Sequence, residues 1–172
     1  MLSNKIEKAL NDQVAREAQS SYQYLAMASW MEVNGYTGTA RFLYDQVEEE
    51  HMHMMKLFHY INEAGGTGLA PAVKQANRNF KGYAQLFEEI LANEQKISAS
   101  IHDIVDLCLK EKDYTTFNFL QWYVSEQLEE ENLFKEINDK IKMLGDSKDS
   151  LYLLDRDLEN MPNQAKIASK EG

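Results

Sequence analysis

The chain has 172 residues, with 28 acidic against 18 basic side chains, a formal net charge of −10 and an isoelectric point near 4.9; this balance lacks the basic stripe of a nucleic-acid binder. Its length suits one domain with a real core, and its one cysteine, Cys108, excludes a disulfide framework and points to a reducing compartment. No stretch is long and apolar enough for a membrane span, and the start, Met1-Leu2-Ser3-Asn4-Lys5, lacks a continuous apolar signal core, so a soluble cytoplasmic protein without nucleic-acid or membrane partners is expected.

Four long stretches carry core residues at alternating spacings of three and four, the period that places side chains on one helix face. The first reads Ile6, Leu10, Gln13, Glu17, Ser21, Tyr24, Ala28, Met31. A turn around Asn34-Gly35-Tyr36-Thr37-Gly38 leads to the second, Leu43, Gln46, Glu50, His53, Leu57, Tyr60, Ala64. The segment from Gly65-Gly66 to Gly82, with Thr67-Gly68 and Pro71, is too long for a tight helix turn. Extended, it spans roughly 50 Å at about 3.3 Å per residue, enough to run beside a whole helix, and it reads as a crossover. The third stretch is Tyr83, Phe87, Ile90, Glu94, Ile97, Ile101, Ile104, Cys108, and Glu111-Lys112-Asp113 turns into the fourth, with Asp113 as its cap. The fourth is Thr116, Leu120, Tyr123, Gln127, Glu130, Phe134, Ile137, Ile141. Beyond Gly145, the spacing of Leu151, Leu154, Leu158 and Met161 predicts a short fifth helix, and 163–172 reads as a tail. The expected fold is all-α: a four-helix bundle in up-down-down-up order with a long crossover and a short C-terminal helix, one domain over 1–162.

The seams are not wholly apolar. Glu17, Glu50, His53, Glu94, Gln127 and Glu130 fall on them, and burying ionised carboxylates without counter-charge costs several kcal/mol each. Height along the bundle agrees. The midpoint between Glu17 and Glu50 falls next to the first turn, and the midpoint between Glu94 and Glu130 is Lys112, inside the second. Each hairpin therefore brings its own acids level, and so many converging acids call for a cation, most simply a metal pair.

Glu17, the Glu50-His51-Met52-His53 segment, Glu94 and Gln127-Leu128-Glu129-Glu130, with Tyr24 and Trp122, resemble the ferritins over essentially the whole chain. The ligand scheme is the known one of ferritin-like carboxylate bundles, in which two helices each give a Glu and two each give Glu-x-x-His. This chain departs in the second half, where Gln127-x-x-Glu130 replaces the second Glu-x-x-His. Bacterioferritins, rubrerythrins and many di-iron oxygenases carry that second histidine, so the resemblance is to the non-haem bacterial ferritins. It implies that Glu17, Glu50 and His53 hold one iron, that Glu50 bridges, and that Glu94 with Glu130 hold a second more loosely. Gln127 offers only a neutral oxygen and is expected to orient a neighbour or the oxidant. A further iron site built from Glu49, Glu126, Glu129 and Glu130 is also implied, and Tyr24 and Trp122 match aromatics kept near the iron pair as electron donors.

Oxygen ligands with one imidazole suit Fe(II). The resemblance implies ferroxidase activity, in which paired Fe(II) is oxidised by dioxygen or hydrogen peroxide and Fe(III) is stored as a hydrated oxide inside a hollow 24-subunit cage. Haem is not expected, because bacterioferritins place their haem-ligating methionine directly after the bridging glutamate and His51 stands there; a rubrerythrin needs paired cysteines, which one Cys108 cannot supply. The alternative is a di-iron oxygenase or peroxide-reducing enzyme without storage, and a third reading is a structural bundle whose acids are neutralised by protons. The run His51 to Met55 suggests copper, yet neighbouring residues on a helix point to different faces. His59 and His102 fall off the ligand level. The start of the fourth helix is neutral at Thr116, Asn118 and Gln121, where animal ferritins place channel acids.

Overall fold

A computed structural model describes residues 2–161; Pro162 and the expected tail at 163–172, and with them the domain boundary, lie outside the described residues. Five helices account for the architecture: α1 (Asn4–Val33), α2 (Thr37–Glu63), α3 (Tyr83–Glu111), α4 (Tyr114–Leu144) and α5 (Lys148–Glu159). The first four form the expected bundle and the fifth packs against its end. Every expected seam residue of α1, α3 and α4 is buried. On α2 the seam is buried from Leu43 to Leu57, whereas Tyr60 and Ala64 are half-buried and Ile61 takes the core position. No helix among the described residues is long and apolar enough to cross a membrane.

The helix ends follow from local chemistry. Ser3, Asp113 and Ser147 each accept a hydrogen bond from the backbone N–H three residues on, capping α1, α4 and α5. Lys112, at φ 59°, ends α3 in the left-handed conformation and lets the chain reverse within two residues. Helix α2 has no cap of its own, since Tyr36 contributes no side-chain bond. Asp155 of α5 supplies it: its carboxylate accepts from Gly38 N–H at 3.1 Å, Thr39 N–H at 2.7 Å and the Thr39 hydroxyl at 2.8 Å. A carboxylate at this place also meets the positive end of the helix dipole.

The crossover (64–82) is held by a polar stripe on α1. Glu7 accepts from Thr67 N–H, Asn11 pairs with both Leu69 N–H and the Thr67 carbonyl, Gln19 with both backbone groups of Lys74, and Gln23 with both of Asn77. An extended segment has no ladder partner for its backbone, and these side chains provide one. Phe80 then packs edge-on against Trp30 near the far end of α1. The crossover has therefore travelled the length of that helix, and α3 starts where α2 starts, running parallel to it.

The apolar core comes in two clusters. One surrounds Tyr24, Met31, Leu43, Phe87 and Phe134 and receives Leu154 and Leu158 of α5. The other surrounds Ile6, Leu10, Leu57, Ile101, Leu120 and Tyr123 and holds Cys108, whose thiol is pushed up to about 11 by burial and so stays protonated. Between them lies a polar layer.

Removing the Asp155 carboxylate with Asp155→Ala leaves three α2 donors short of an acceptor and is expected to cost about 1–3 kcal/mol, read as a lower denaturant midpoint with helix content retained. Gly38→Ala should cost more, because its Cβ would fall 2.2 Å from the Asp155 carbonyl oxygen and 2.9 Å from Glu159 Cβ. A midpoint unchanged by either substitution would remove α5 from the account of stability.

Candidate metal centre

The polar layer is almost sealed from solvent: Glu17, Glu50 and His53 are each 1% exposed, Glu94 is 0% and Glu130 3%. Each helix of the bundle contributes to it, because the acids replace one or two apolar seam residues without breaking the helical period. Tyr123 fixes α4 to α2 by donating to the His53 backbone carbonyl at 2.7 Å. This single bond sets the height of the imidazole against the fourth helix.

Two groups of ligand atoms converge. Glu17, Glu50 and His53 each place one within 4.8 Å of the others, and so do Glu49, His53 and Glu126. His53 belongs to both groups, and its Nδ1 lies 4.0 Å from Glu50 Oε2. Glu94 is arranged differently, since both of its oxygens are already engaged. Tyr24 donates its hydroxyl to Oε1 at 2.7 Å, and the Gln127 amide donates to Oε2 at 3.2 Å and to the Glu94 carbonyl at 3.3 Å. Each of those oxygens keeps a second lone pair.

Hydrogen bonding leaves a specific remainder. Glu17 Oε2, Glu50 Oε2, His53 Nε2 and Glu130 Oε2 are buried and have no hydrogen-bond partner among the described residues; Gln46 Oε1 is the fifth such atom. An unpartnered buried polar atom costs about 1–3 kcal/mol, more when charged, so native folds rarely tolerate several together. Amides serve two of the acids: Gln13 donates to Glu17 Oε1 at 2.7 Å, and Gln46 to Glu49 Oε2 at 2.9 Å. One oxygen of Glu17 is thus fixed while the other stays open.

Burial is the first cause of every large shift in protonation here. It holds Glu17 and Glu49 up to about 7 and raises Glu50, Glu94, Glu126 and Glu130, with neighbouring carboxylates adding to the effect. His53 is pushed down to about 4 by burial and then by Lys56. At neutral pH the imidazole is therefore neutral, the form that binds a metal, and Glu17 and Glu49 still hold part of their protons, which an arriving cation can displace. Burial, followed by Glu94, Glu50 and Glu130, raises the Tyr24 phenol well above its usual range. Tyr24 remains a donor.

The remaining expected residues fall at different depths. Glu49 is buried, Glu126 half-buried and Glu129 exposed, so Glu129 stands outside both converging groups while still raising the Glu126 and Glu130 carboxyls. The Trp122 ring lies 5.4 Å edge-on from His53 and carries Lys56 Nζ 4.3 Å above its face. His51 and Met52 are exposed while His53 is buried, and His59 and His102 are on the surface. The helical spacing places Gln13 and Gln46 on their seams but assigns them no role. The available signal was an amide one helical turn before an acid on the same face.

A family model described as Ferritin-like domain matches residues 7–144. A probable bacterial non-heme ferritin-like protein of Haemophilus influenzae is 42% identical over 165 residues, covering 96% of this chain and 100% of that protein. A bacterial non-heme ferritin of Campylobacter jejuni is 44% identical over 161 residues, covering 94% and 96%. Among solved structures, an open pore ferritin from the hyperthermophilic archaeon Archaeoglobus fulgidus has a TM-score of 0.92 at 36% identity, covering 94% of this chain and 100% of that one.

The raised carboxyls bind protons more tightly in the folded chain than in the unfolded one, so their contribution to stability is full below about 4.5 and is lost as pH rises through about 7. His53 acts in the opposite sense, as one group, between its ordinary 6.5 and about 4. Metal-free protein is therefore expected to have a higher denaturant midpoint at pH 6 than at pH 8, and a divalent cation should restore the midpoint at pH 8. A midpoint that climbs from pH 6 to pH 8 without metal would contradict this balance.

Proposed function

The chain belongs to the ferritin family, and from that premise we propose that it stores iron and oxidises Fe(II) at a di-iron site inside each subunit. The observation that carries this reading is the set of four unpartnered buried atoms, Glu17 Oε2, Glu50 Oε2, His53 Nε2 and Glu130 Oε2. A packed apolar core would not present them, and no hydrogen bond among the described residues uses them. Their chemistry, carboxylate oxygen with one imidazole nitrogen, suits Fe(II).

In this reading Glu17, Glu50 and His53 take one Fe(II), and Glu50 extends towards a second held by Glu94 and Glu130. Binding displaces the protons that burial keeps on these carboxyls. A pair of Fe(II) ions supplies two electrons, which with two protons reduce dioxygen to hydrogen peroxide or hydrogen peroxide to two waters. Tyr24 holds Glu94 through its hydroxyl, while Gln127 orients the same carboxylate from the other side.

Storage is favoured over a resident di-iron cofactor by two features. Glu130 stands where the second Glu-x-x-His has its imidazole, and the neutral Gln127 stands where it has its glutamate, so the second ion is held loosely. The second converging group, Glu49, His53 and Glu126, leads from the sealed layer through half-buried Glu126 to exposed Glu129. That gradient gives oxidised iron a graded way out of the bundle to a mineral, and it is where we place the further iron site. Exposed Tyr22 and Leu25 on α1, Leu69 on the crossover and Tyr152 and Leu153 on α5 suit burial between subunits. A 24-subunit cage enclosing the mineral is the assembly we propose, working in the reducing cytoplasm where Fe(II) persists.

Aerobic addition of Fe(II) to the wild-type protein should give fast Fe(III) absorbance, which Glu17→Ala combined with Glu50→Ala should abolish; an unchanged rate would sink the site assignment. Native mass measurement should give a species many times the 19.9 kDa of one chain. A monomer or dimer would instead support the non-storage di-iron enzyme.

A further inference from the structure

We propose that Gln13 is a positioning residue for Glu17, with Ser100 on α3 holding the other end of the Gln13 amide. This rests on the di-iron reading above. Gln13 sits one turn before Glu17 on α1, is itself 1% exposed, and donates Nε2–H to Glu17 Oε1 at 2.7 Å. The other carboxylate oxygen, Oε2, is left without a hydrogen-bond partner among the described residues, and the Glu17 carboxylate converges with Glu50 and His53. One strong donor thereby assigns the two oxygens of Glu17 different tasks.

An amide can present either end, and only its nitrogen can donate to the Glu17 carboxylate once a metal has displaced the carboxyl proton. Ser100 meets the other end. Its hydroxyl has Gln13 Oε1 at 2.6 Å and the Ile97 carbonyl at 2.8 Å as acceptors, so with the Gln13 nitrogen on Glu17 the amide oxygen faces Ser100. Gln13 and Ser100 line the floor of a groove of about 200 Å³ between α1 and α3, with Asp12, Arg16 and Asp103 on its walls. Hydrogen-bond partners of this kind fix the geometry of metal-binding side chains, and their loss commonly costs about 10–100-fold in metal affinity.

The test uses the whole assembled protein and Co(II), a redox-stable stand-in for Fe(II) whose visible absorption reports coordination. Calorimetric titration of wild type should resolve two classes of site, assigned with Glu17→Ala and Glu94→Gln. Gln13→Leu is expected to weaken the Glu17 class by about 10–100-fold and to change its Co(II) spectrum, leaving the Glu94 class unaltered. Ser100→Ala should act in the same direction on the same class by a smaller factor, and it serves if Gln13→Leu does not fold. If either variant loses thermal stability while keeping wild-type Co(II) affinity and spectrum, Gln13 merely packs and the proposal is overturned. Equal weakening of both classes would overturn it too. If Glu17→Ala itself leaves Co(II) binding unchanged, the di-iron reading fails and takes this one with it; if Glu17→Ala removes a class that Gln13→Leu preserves, only the positioning role falls.

Discussion

Six carboxyl groups, those of Glu17, Glu49, Glu50, Glu94, Glu126 and Glu130, crowd one level of the bundle, and among the described residues no lysine or arginine is buried with them. Arg16 and Lys56 act only from the exposed periphery. A layer of that kind works against folding unless protons or metal ions neutralise it. The rest of the molecule is arranged to withstand it: the two apolar clusters grip the four helices above and below the layer, and Tyr123 and Gln127 tie α4 to α2 and α3 at the level itself. Stability comes from the ends of the bundle, and the middle is left free for chemistry.

The layer is not uniform. Glu94, held from both sides by Tyr24 and Gln127, is the most constrained of the acids, whereas Glu17, Glu50 and Glu130 each keep an oxygen open. The difference traces to residue types: the Gln127 amide donates where the second Glu-x-x-His has an acceptor carboxylate, so it spends its hydrogen bond on Glu94.

Much of this was legible in the sequence, because the determining signal was periodic. The seams on α1, α3 and α4 emerged intact, and the level of the acids followed from counting residues to each turn. What escaped were contacts between residues far apart in the chain that share no period. The stripe Glu7, Asn11, Gln19 and Gln23 looks like an ordinary solvated helix face, yet it holds the crossover. Ser100 gives no hint that it addresses Gln13, 87 residues away, and Asp155 none that it caps α2. The α2 seam was right through Leu57 and drifted at Tyr60, where the helix end leaves the tightly packed part of the bundle and burial passes to Ile61.

The Asp155 cap also has a consequence for the order in which the molecule can be finished. Helix α2 lies in the first half of the chain, but the acceptor for its opening amides is 116 and 117 residues further on. During synthesis, which proceeds from the N-terminus at about 5–20 residues per second, the first hairpin emerges with that end unsealed and stays so until α5 has left the ribosome. The segment most remote in the chain thus acts as the closing latch, and a nascent chain truncated before it would carry every proposed iron ligand on a bundle whose second helix still frays.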